Sequence, residues 1–108
     1  MTESTHVGES RKVTVYIDPD LEDIVPGFLE NRRKDVTTLQ AALQAGDFNT
    51  VRLLGHRMKG DGGGYGFDTI STIGDALEQA AIRADRPAIE RQLVSLADFL
   101  ANVQVVYR

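Results

Sequence analysis

The sequence contains no cysteine in its 108 residues. Disulfides, thiolate zinc sites and cysteine nucleophiles are therefore excluded, and the absence of cysteine agrees with a reducing compartment. The stability of the fold must come from the packing of side chains. The sequence also lacks a run of about 18 to 20 apolar residues, which a membrane-spanning helix requires. We therefore expect no contact with a membrane.

A basic excess is also missing. The formal net charge is −4 and the pI is near 5.0, which argues against nucleic-acid binding. Several basic residues nevertheless fall in the middle of the chain: Arg32, Arg33, Lys34, Arg52, Arg57 and Lys59. Such charges are usually a solvated helix face, but a local basic patch that docks an acidic partner is the interpretation we favour.

The first twelve residues are polar and have no hydrophobic segment of the kind found in secretory signals. We expect residues 1–12 to form a flexible N-terminal tail and residues 13–108 to form one domain, because a chain of this length has room for one core. We further expect a cytoplasmic, stand-alone protein that acts as a monomer.

The segment that follows this tail gives two local signals. Apolar residues alternate with Thr14 and Tyr16 over residues 13–17, which is typical of a strand, but no partner strand is evident, so we expect an extended lead-in. Asp18 followed by Pro19 is typical of a helix N-cap with proline at the first helical position. This pair predicts a short extra N-terminal helix.

The rest of the sequence predicts four long amphipathic helices. Pro26 opens the first and Gly46 ends it, Asp47 caps the second, and Asp85 caps the last. Four such segments joined by short turns indicate an all-α fold, an antiparallel four-helix bundle. The predicted buried positions, in chain order, are Val25, Leu29, Val36, Leu39, Leu43, Phe48, Val51, Leu54, Met58, Ile70, Ile73, Leu77, Ala80, Ala81, Ile89, Leu93, Leu96, Leu100 and Val103. Arg32 interrupts the first of these stripes.

The most informative stretch is residues 55–67, which is rich in glycine. A glycine inside a helix costs roughly 1 kcal/mol relative to alanine, so Gly55 and Gly60 indicate either an early helix end or a need for bare backbone. Helical spacing places the following residues on one face, away from the predicted core: Arg52, His56, Lys59, Gly60 and Gly63. We therefore expect the His56 ring to point outward.

An exposed imidazole is largely uncharged at neutral pH and offers a nucleophilic nitrogen. Phosphoryl transfer requires little more from a protein than an in-line nucleophile and positive charge near the equatorial oxygens. Lys59 lies one turn from His56 and can supply that charge. Gly60 leaves a notch through which the active site of a partner can approach the ring.

His56, Lys59 and Gly60, with Gly66 ten residues after the histidine, resemble the His-x-x-Lys-Gly-x-x-x-x-x-Gly signature of histidine phosphotransfer (HPt) domains. The flanking runs LQAALQAGDFNTVRLLGHRMKG and IGDALEQAAIRADRPAI resemble the preceding and following helices of that family. The resemblance covers about residues 18 to 108. The chain departs from the pattern at Gly55 and in the run 62–64, which leaves the end of this helix open.

The resemblance implies that His56 is the phosphorylated residue, that Lys59 helps to neutralise charge, and that Gly60 opens the surface. It also suggests that Glu78 orients the imidazole through its other nitrogen. The remaining candidate partner-binding residues are Arg52, Arg57 and Gly63.

The implied partners are response-regulator receiver domains, with a hybrid sensor kinase as a further candidate. We expect no cofactor and no metal site in the chain itself, since Mg²⁺ belongs to the receiver. The chain has no room for an ATP-binding domain, so it would not be a kinase.

One alternative to this interpretation is retained, and two further interpretations are disfavoured by the sequence. A non-catalytic helical adaptor would bind partners through one face and never be phosphorylated. A hydrolase with His56 as general base lacks a convincing nucleophile or acidic orienter close to His56 in sequence, so only the fold can bring one near. A phosphate-binding glycine loop would need a Gly-Lys-Ser/Thr ending and a preceding strand, and the glycine run has neither.

Overall fold

The computed structural model describes residues 12–108, so the tail predicted for residues 1–12 lies outside the described residues except for Lys12. The elements in chain order are strand β1 (Val13–Ile17), a 3-10 turn (Pro19–Leu21), helices α1 (Val25–Gln44), α2 (Phe48–Tyr65), α3 (Asp68–Ile82) and α4 (Arg86–Asn102), and strand β2 (Val103–Tyr107). None of the helices in this part of the chain is both long and apolar enough to cross a membrane.

The four predicted helices are confirmed, and they are consistent with a helical bundle. Each helix contacts the next, and α1 also contacts α4, while α2 and α3 form the most extensive contact. The apolar stripe of each helix faces this shared interior, where the largest fully buried side chains are Val25, Leu39, Val51, Met58, Phe67, Ile70, Leu77, Ile89 and Leu96, together with Ile17 from β1.

Caps define the helix ends at the residues that the sequence indicates. The Asp47 carboxylate accepts from the backbone N–H of Thr50 at 3.1 Å, and Asp85 accepts in the same way from Ala88 at 3.1 Å. Two hydrogen bonds from Thr50 lower the pKa of Asp47. The bond from the Thr50 hydroxyl has the larger effect, and the bond from its backbone N–H has the smaller one. Gly46 takes a left-handed φ of 71° after α1, a conformation that glycine adopts without steric cost.

The expectation that the Val13–Ile17 segment has no partner strand is wrong. This strand pairs in parallel with β2, in a register that joins Val13 to Val103 and Ile17 to Tyr107. Val103 was predicted as a buried position of the last helix, but α4 ends at Asn102 and Val103 is extended and only partly buried. The β-branched composition of β2 explains its preference for a strand.

The predicted short N-terminal helix is also absent. The Asp18 carboxylate accepts from the Asp20 N–H at 2.9 Å, as expected for a cap, but only one 3-10 turn follows over Pro19–Leu21. Pro26 has no N–H to donate to the carbonyl of Glu22, so helical hydrogen bonds from this turn cannot continue into α1. A single unsupported turn is too short to propagate as an α-helix.

Arg32, which interrupts the apolar stripe of α1, is buried and not solvated, with 9% of its surface exposed. Its guanidinium bonds to Asp35 at 2.8 Å, lies 3.7 Å from the Asp61 carboxylate on α2, and stacks 4.8 Å above the Phe28 ring. Phe28 in turn stacks on Tyr65, with ring centroids 4.3 Å apart. These contacts attach the glycine-rich end of α2 to α1.

Candidate functional site

Helix α2 does not end early but continues through the glycine run, and close packing against α3 explains the glycines. A Cβ atom at Gly55 would lie 2.7 Å from the backbone N of Glu78 and 2.7 Å from the carbonyl oxygen of Gly74. A Cβ at Gly62 would lie 2.6 Å from the backbone N of Ser71. Real Cβ atoms do not approach backbone atoms so closely, so bare backbone is required at both positions for α2 and α3 to touch.

The His56 side chain is 71% exposed, as the helical spacing predicts. Its Nδ1 atom lies 3.1 Å from the Oε2 atom of Glu78 on α3, whose side chain is only 14% exposed. An ionised carboxylate can only accept hydrogen bonds, so this contact favours the tautomer of the ring that carries its proton on Nδ1. The lone pair is then on Nε2, which has no hydrogen-bond partner among residues 12–108.

Lys59 lies one turn from His56 on the same face of α2, and its Nζ atom forms an ion pair with Asp75 at 3.1 Å. Both side chains of the pair are about half exposed. The backbone of Lys59 is also held, since the Ser71 hydroxyl donates to its carbonyl oxygen at 2.7 Å. The antiparallel register of α2 and α3 thus pairs His56 with Glu78 and Lys59 with Asp75.

Gly60 and Gly63 leave the surface beside this pair bare. A Cβ atom at Gly60 would have no heavy atom within 4 Å, and one at Gly63 would only reach the Ser71 hydroxyl at 4.0 Å. Packing within the domain therefore does not require glycine at Gly60, in contrast with Gly55. The space in front of this part of α2 is open to a partner.

The predicted basic patch is smaller than the sequence suggests. Arg52 is partly buried and donates to the side-chain oxygen of Asn49 at 3.0 Å. Arg57 is exposed and forms no ion pair within the part of the chain that the structure describes. Arg32 is buried in its own ion pairs and contributes nothing to an exposed patch.

Sequence reasoning missed three residues at this site. Asp75 is one of them, and the other two are exposed apolar residues, Leu53 on α2 and Ile82 on α3, with 46% and 60% of their surfaces exposed. Leu53 precedes His56 by one helical turn and Ile82 follows Glu78 by about one turn, so in antiparallel helices both lie toward the same end of the site. The i, i+3 spacing of Asp75 and Glu78, which matches that of His56 and Lys59, is the signal that sequence reasoning could have used.

The fold and this site define a helical protein that presents an exposed, carboxylate-bound histidine on the surface of two closely packed helices. Among residues 12–108, no group of three or more His, Asp or Glu side chains is arranged to hold a metal ion. The family model described as the Hpt domain matches residues 23–105, which is most of the chain. The chain therefore belongs to the Hpt domain family.

Membership of this family implies histidine phosphotransfer in phosphorelays. Proteins of the family are phosphocarriers and not kinases, and they interact with response-regulator receiver domains. Strand β1 precedes the matched range. No curated protein and no solved structure matches the chain at a significant level.

Proposed function

We propose that this chain is a phosphocarrier that accepts a phosphoryl group on His56 and donates it again, in exchange with aspartates of response-regulator receiver domains. The observation that supports this proposal is the state of the imidazole, which is 71% exposed and bonded through Nδ1 to Glu78. In this arrangement Nε2 is the ring nitrogen that is left to react with a phosphoryl group.

In the accepting direction, the lone pair of His56 Nε2 attacks the phosphorus atom of an aspartyl phosphate in line with the leaving oxygen. The N–P bond forms as the P–O bond to the aspartate breaks, and the aspartate carboxylate leaves with the bonding electron pair. The ring retains its Nδ1 proton and becomes an imidazolium. The donating direction is the reverse of this step, with a receiver carboxylate as the attacking group.

Glu78 supports this chemistry in two ways. Its carboxylate can accept a hydrogen bond from Nδ1–H, with Nδ1 and Oε2 3.1 Å apart, which favours the tautomer with the lone pair on Nε2. It also stabilises the positive charge that develops on the ring, as a carboxylate does beside a catalytic imidazole. Because Glu78 is largely buried, its interaction with the ring is less screened by water than that of a surface carboxylate.

The surface around His56 suits a receiver domain. Receiver active sites resemble acidic pockets, so Arg52 and Arg57 would favour their approach electrostatically. Bare backbone at Gly60 and Gly63 leaves space for the rim of such a pocket. In addition to these predicted residues, the exposed side chains of Leu53 and Ile82 would lose contact with water when a partner docks.

The proposed transfer uses no cofactor of this chain, and the Mg²⁺ ion that neutralises phosphoryl oxygens is expected in the receiver. No ATP-binding step is proposed. A hybrid sensor kinase that carries its own receiver domain would be the partner that supplies phosphoryl groups.

The test is incubation of the chain with a receiver domain that carries a radiolabelled phosphoryl group. The expected product is an acid-labile, alkali-stable phosphoprotein, and His56→Gln is expected to abolish the label. His6→Gln is the matched control, because it changes the only other histidine of the sequence and is expected to leave labelling intact. Label that persists in His56→Gln would show that another residue is modified.

A second arm of the experiment uses phosphoramidate, a small donor that requires no protein partner. Nε2 attacks its phosphorus atom, the P–N bond breaks, and ammonia leaves with the electron pair. Labelling by phosphoramidate without labelling by any receiver would show a reactive histidine whose partners are of another kind. Absence of label from both donors would favour the non-catalytic adaptor.

A further inference from the structure

We infer that Asp75 is a positioning residue that competes with the phosphoryl group for the ammonium of Lys59 and thereby lowers the stability of phosphorylated His56. This inference rests on the proposed function and concerns the regulation of the same site. It starts from the ion pair between Lys59 Nζ and Asp75 Oδ1, which are 3.1 Å apart.

The pair is one of two neighbouring side-chain contacts between α2 and α3. His56 and Lys59 are three residues apart on α2, and Glu78 and Asp75 are three residues apart on α3, so each cationic or nucleophilic group faces one carboxylate. The helices lie close enough for these side chains to meet because Gly55 allows contact between the two backbones. The two acids therefore have different partners, and only Asp75 bonds to the ammonium.

The charges at the site explain why the Lys59–Asp75 ion pair affects phosphorylation of His56. Among the four paired side chains, the two carboxylates of Glu78 and Asp75 outnumber the single ammonium of Lys59 when the imidazole is neutral. A phosphoryl group on His56 carries close to two negative charges, and the imidazolium that forms in the same step offsets only about one of them. The phosphoryl oxygens must then compete with Asp75 for the same ammonium.

The ion pair can exchange without a change in the fold. Lys59 and Asp75 are 50% and 47% exposed, and ion pairs of this exposure are weak. The backbone at Lys59 is fixed by the bond from the Ser71 hydroxyl, so only the lysine side chain needs to move. On phosphorylation, Nζ leaves Asp75 Oδ1 and contacts a phosphoryl oxygen, while Asp75 turns to solvent.

The experiment compares wild type, Asp75→Asn, Lys59→Gln and the double variant, with phosphoramidate as donor at fixed concentrations of donor and ammonia. The quantities measured are the ratio of phosphorylated to unphosphorylated chain at equilibrium and the half-life of isolated phosphohistidine. Asp75→Asn is expected to raise the ratio roughly two- to fivefold, the range that corresponds to loss of one half-exposed ion pair. In the Lys59→Gln background the same substitution is expected to have a clearly smaller effect, which reports only the repulsion between Asp75 and the phosphoryl group.

Glu90→Gln is the matched control, because Glu90 is exposed on α4 and its loss changes the net charge by the same amount. Asp75→Ala provides a second variant if the asparagine disturbs the fold, which thermal unfolding monitors. An unchanged or lower ratio in Asp75→Asn would overturn the inference, as would an increase of the same size without Lys59. Failure of the proposed function looks different, since wild type would then not be labelled at His56.

Discussion

His56 Nδ1 and Glu78 Oε2 lie 3.1 Å apart, and this single contact joins an exposed imidazole to a largely buried carboxylate. The two residues are 22 positions apart in the sequence and meet because α2 and α3 pack antiparallel. The contact favours the tautomer with the proton on Nδ1, in which Nε2 is the free nitrogen of the ring. It therefore connects the packing of the two helices directly to the proposed chemistry.

The first prediction concerns Glu78→Gln. A glutamine amide can donate to Nδ1, which favours the wrong tautomer, and it carries no charge to stabilise the imidazolium. We expect phosphorylation of His56 by phosphoramidate to slow by about tenfold, the effect of one lost charge-assisted hydrogen bond. Initial labelling rates measure this effect, and nitrogen NMR of the ring reports the tautomer.

Glu78→Asp is the control for this prediction, since it keeps the charge on a side chain that is one methylene shorter. It is expected to retain part of the wild-type rate. A Glu78→Gln variant that labels as fast as wild type, with the Nδ1-protonated tautomer unchanged, would show that Glu78 has no orienting role.

Much of the fold was predictable because the signals are local. Asp47 and Asp85 cap helices within three residues of their own positions, and the apolar spacing of each helix follows from its period. The pairing of β1 with β2 was not predictable in this way. Val103 follows Leu100 at a helical interval, so the pattern continues the helix, and the partner strand is about 90 residues away in sequence.

The same distinction applies to the site. One helical period was enough to place His56 and Lys59 on a common outward face, but the roles assigned to them remain predictions. Asp75 and Ile82 lie near His56 and Lys59 only because of the register between α2 and α3. The period of a single helix does not predict this register. That register in turn depends on backbone contact at Gly55, a residue that the sequence marks only as unusual.

The second prediction concerns Gly55→Ala. The added methyl group would lie 2.7 Å from two backbone atoms of α3, and backbone cannot move aside as a flexible side chain can. The helices must separate, and we expect a loss of about 1–3 kcal/mol in the free energy of unfolding, as for other overpacked sites. Chemical denaturation measures this loss.

Gly64→Ala is the matched control in the same helix, because a Cβ atom at Gly64 would meet nothing within 4 Å. This substitution is expected to leave stability unchanged or to raise it by up to about 1 kcal/mol, since alanine is the better helix former. Equal stabilities of the two alanine variants would refute the account of close helix packing at Gly55.

The third prediction concerns pH and the cap of α2. The Thr50 hydroxyl donates to the Asp47 carboxylate at 2.6 Å and, with the Thr50 N–H, lowers the pKa of Asp47 below its ordinary value of 3.8. A carboxyl group whose pKa is lower in the folded state stabilises the fold above its unfolded pKa, and this contribution is lost as the pH falls through the folded value. We therefore expect Asp47→Asn, which keeps a capping oxygen, to be less stable than wild type at pH 7.

This difference between Asp47→Asn and wild type should shrink steadily below about pH 4, as the wild-type carboxyl becomes protonated and resembles the neutral amide. Denaturation curves of both proteins at a series of pH values between 2 and 7 give the comparison. Thr50→Val removes only the hydroxyl donor and should weaken the same pH dependence, because the hydroxyl bond is the largest cause of the lowered pKa. A stability difference that stays constant over this range would mean that Asp47 acts at the helix terminus through its shape alone, and that its charge contributes nothing to holding the start of the helix that carries His56.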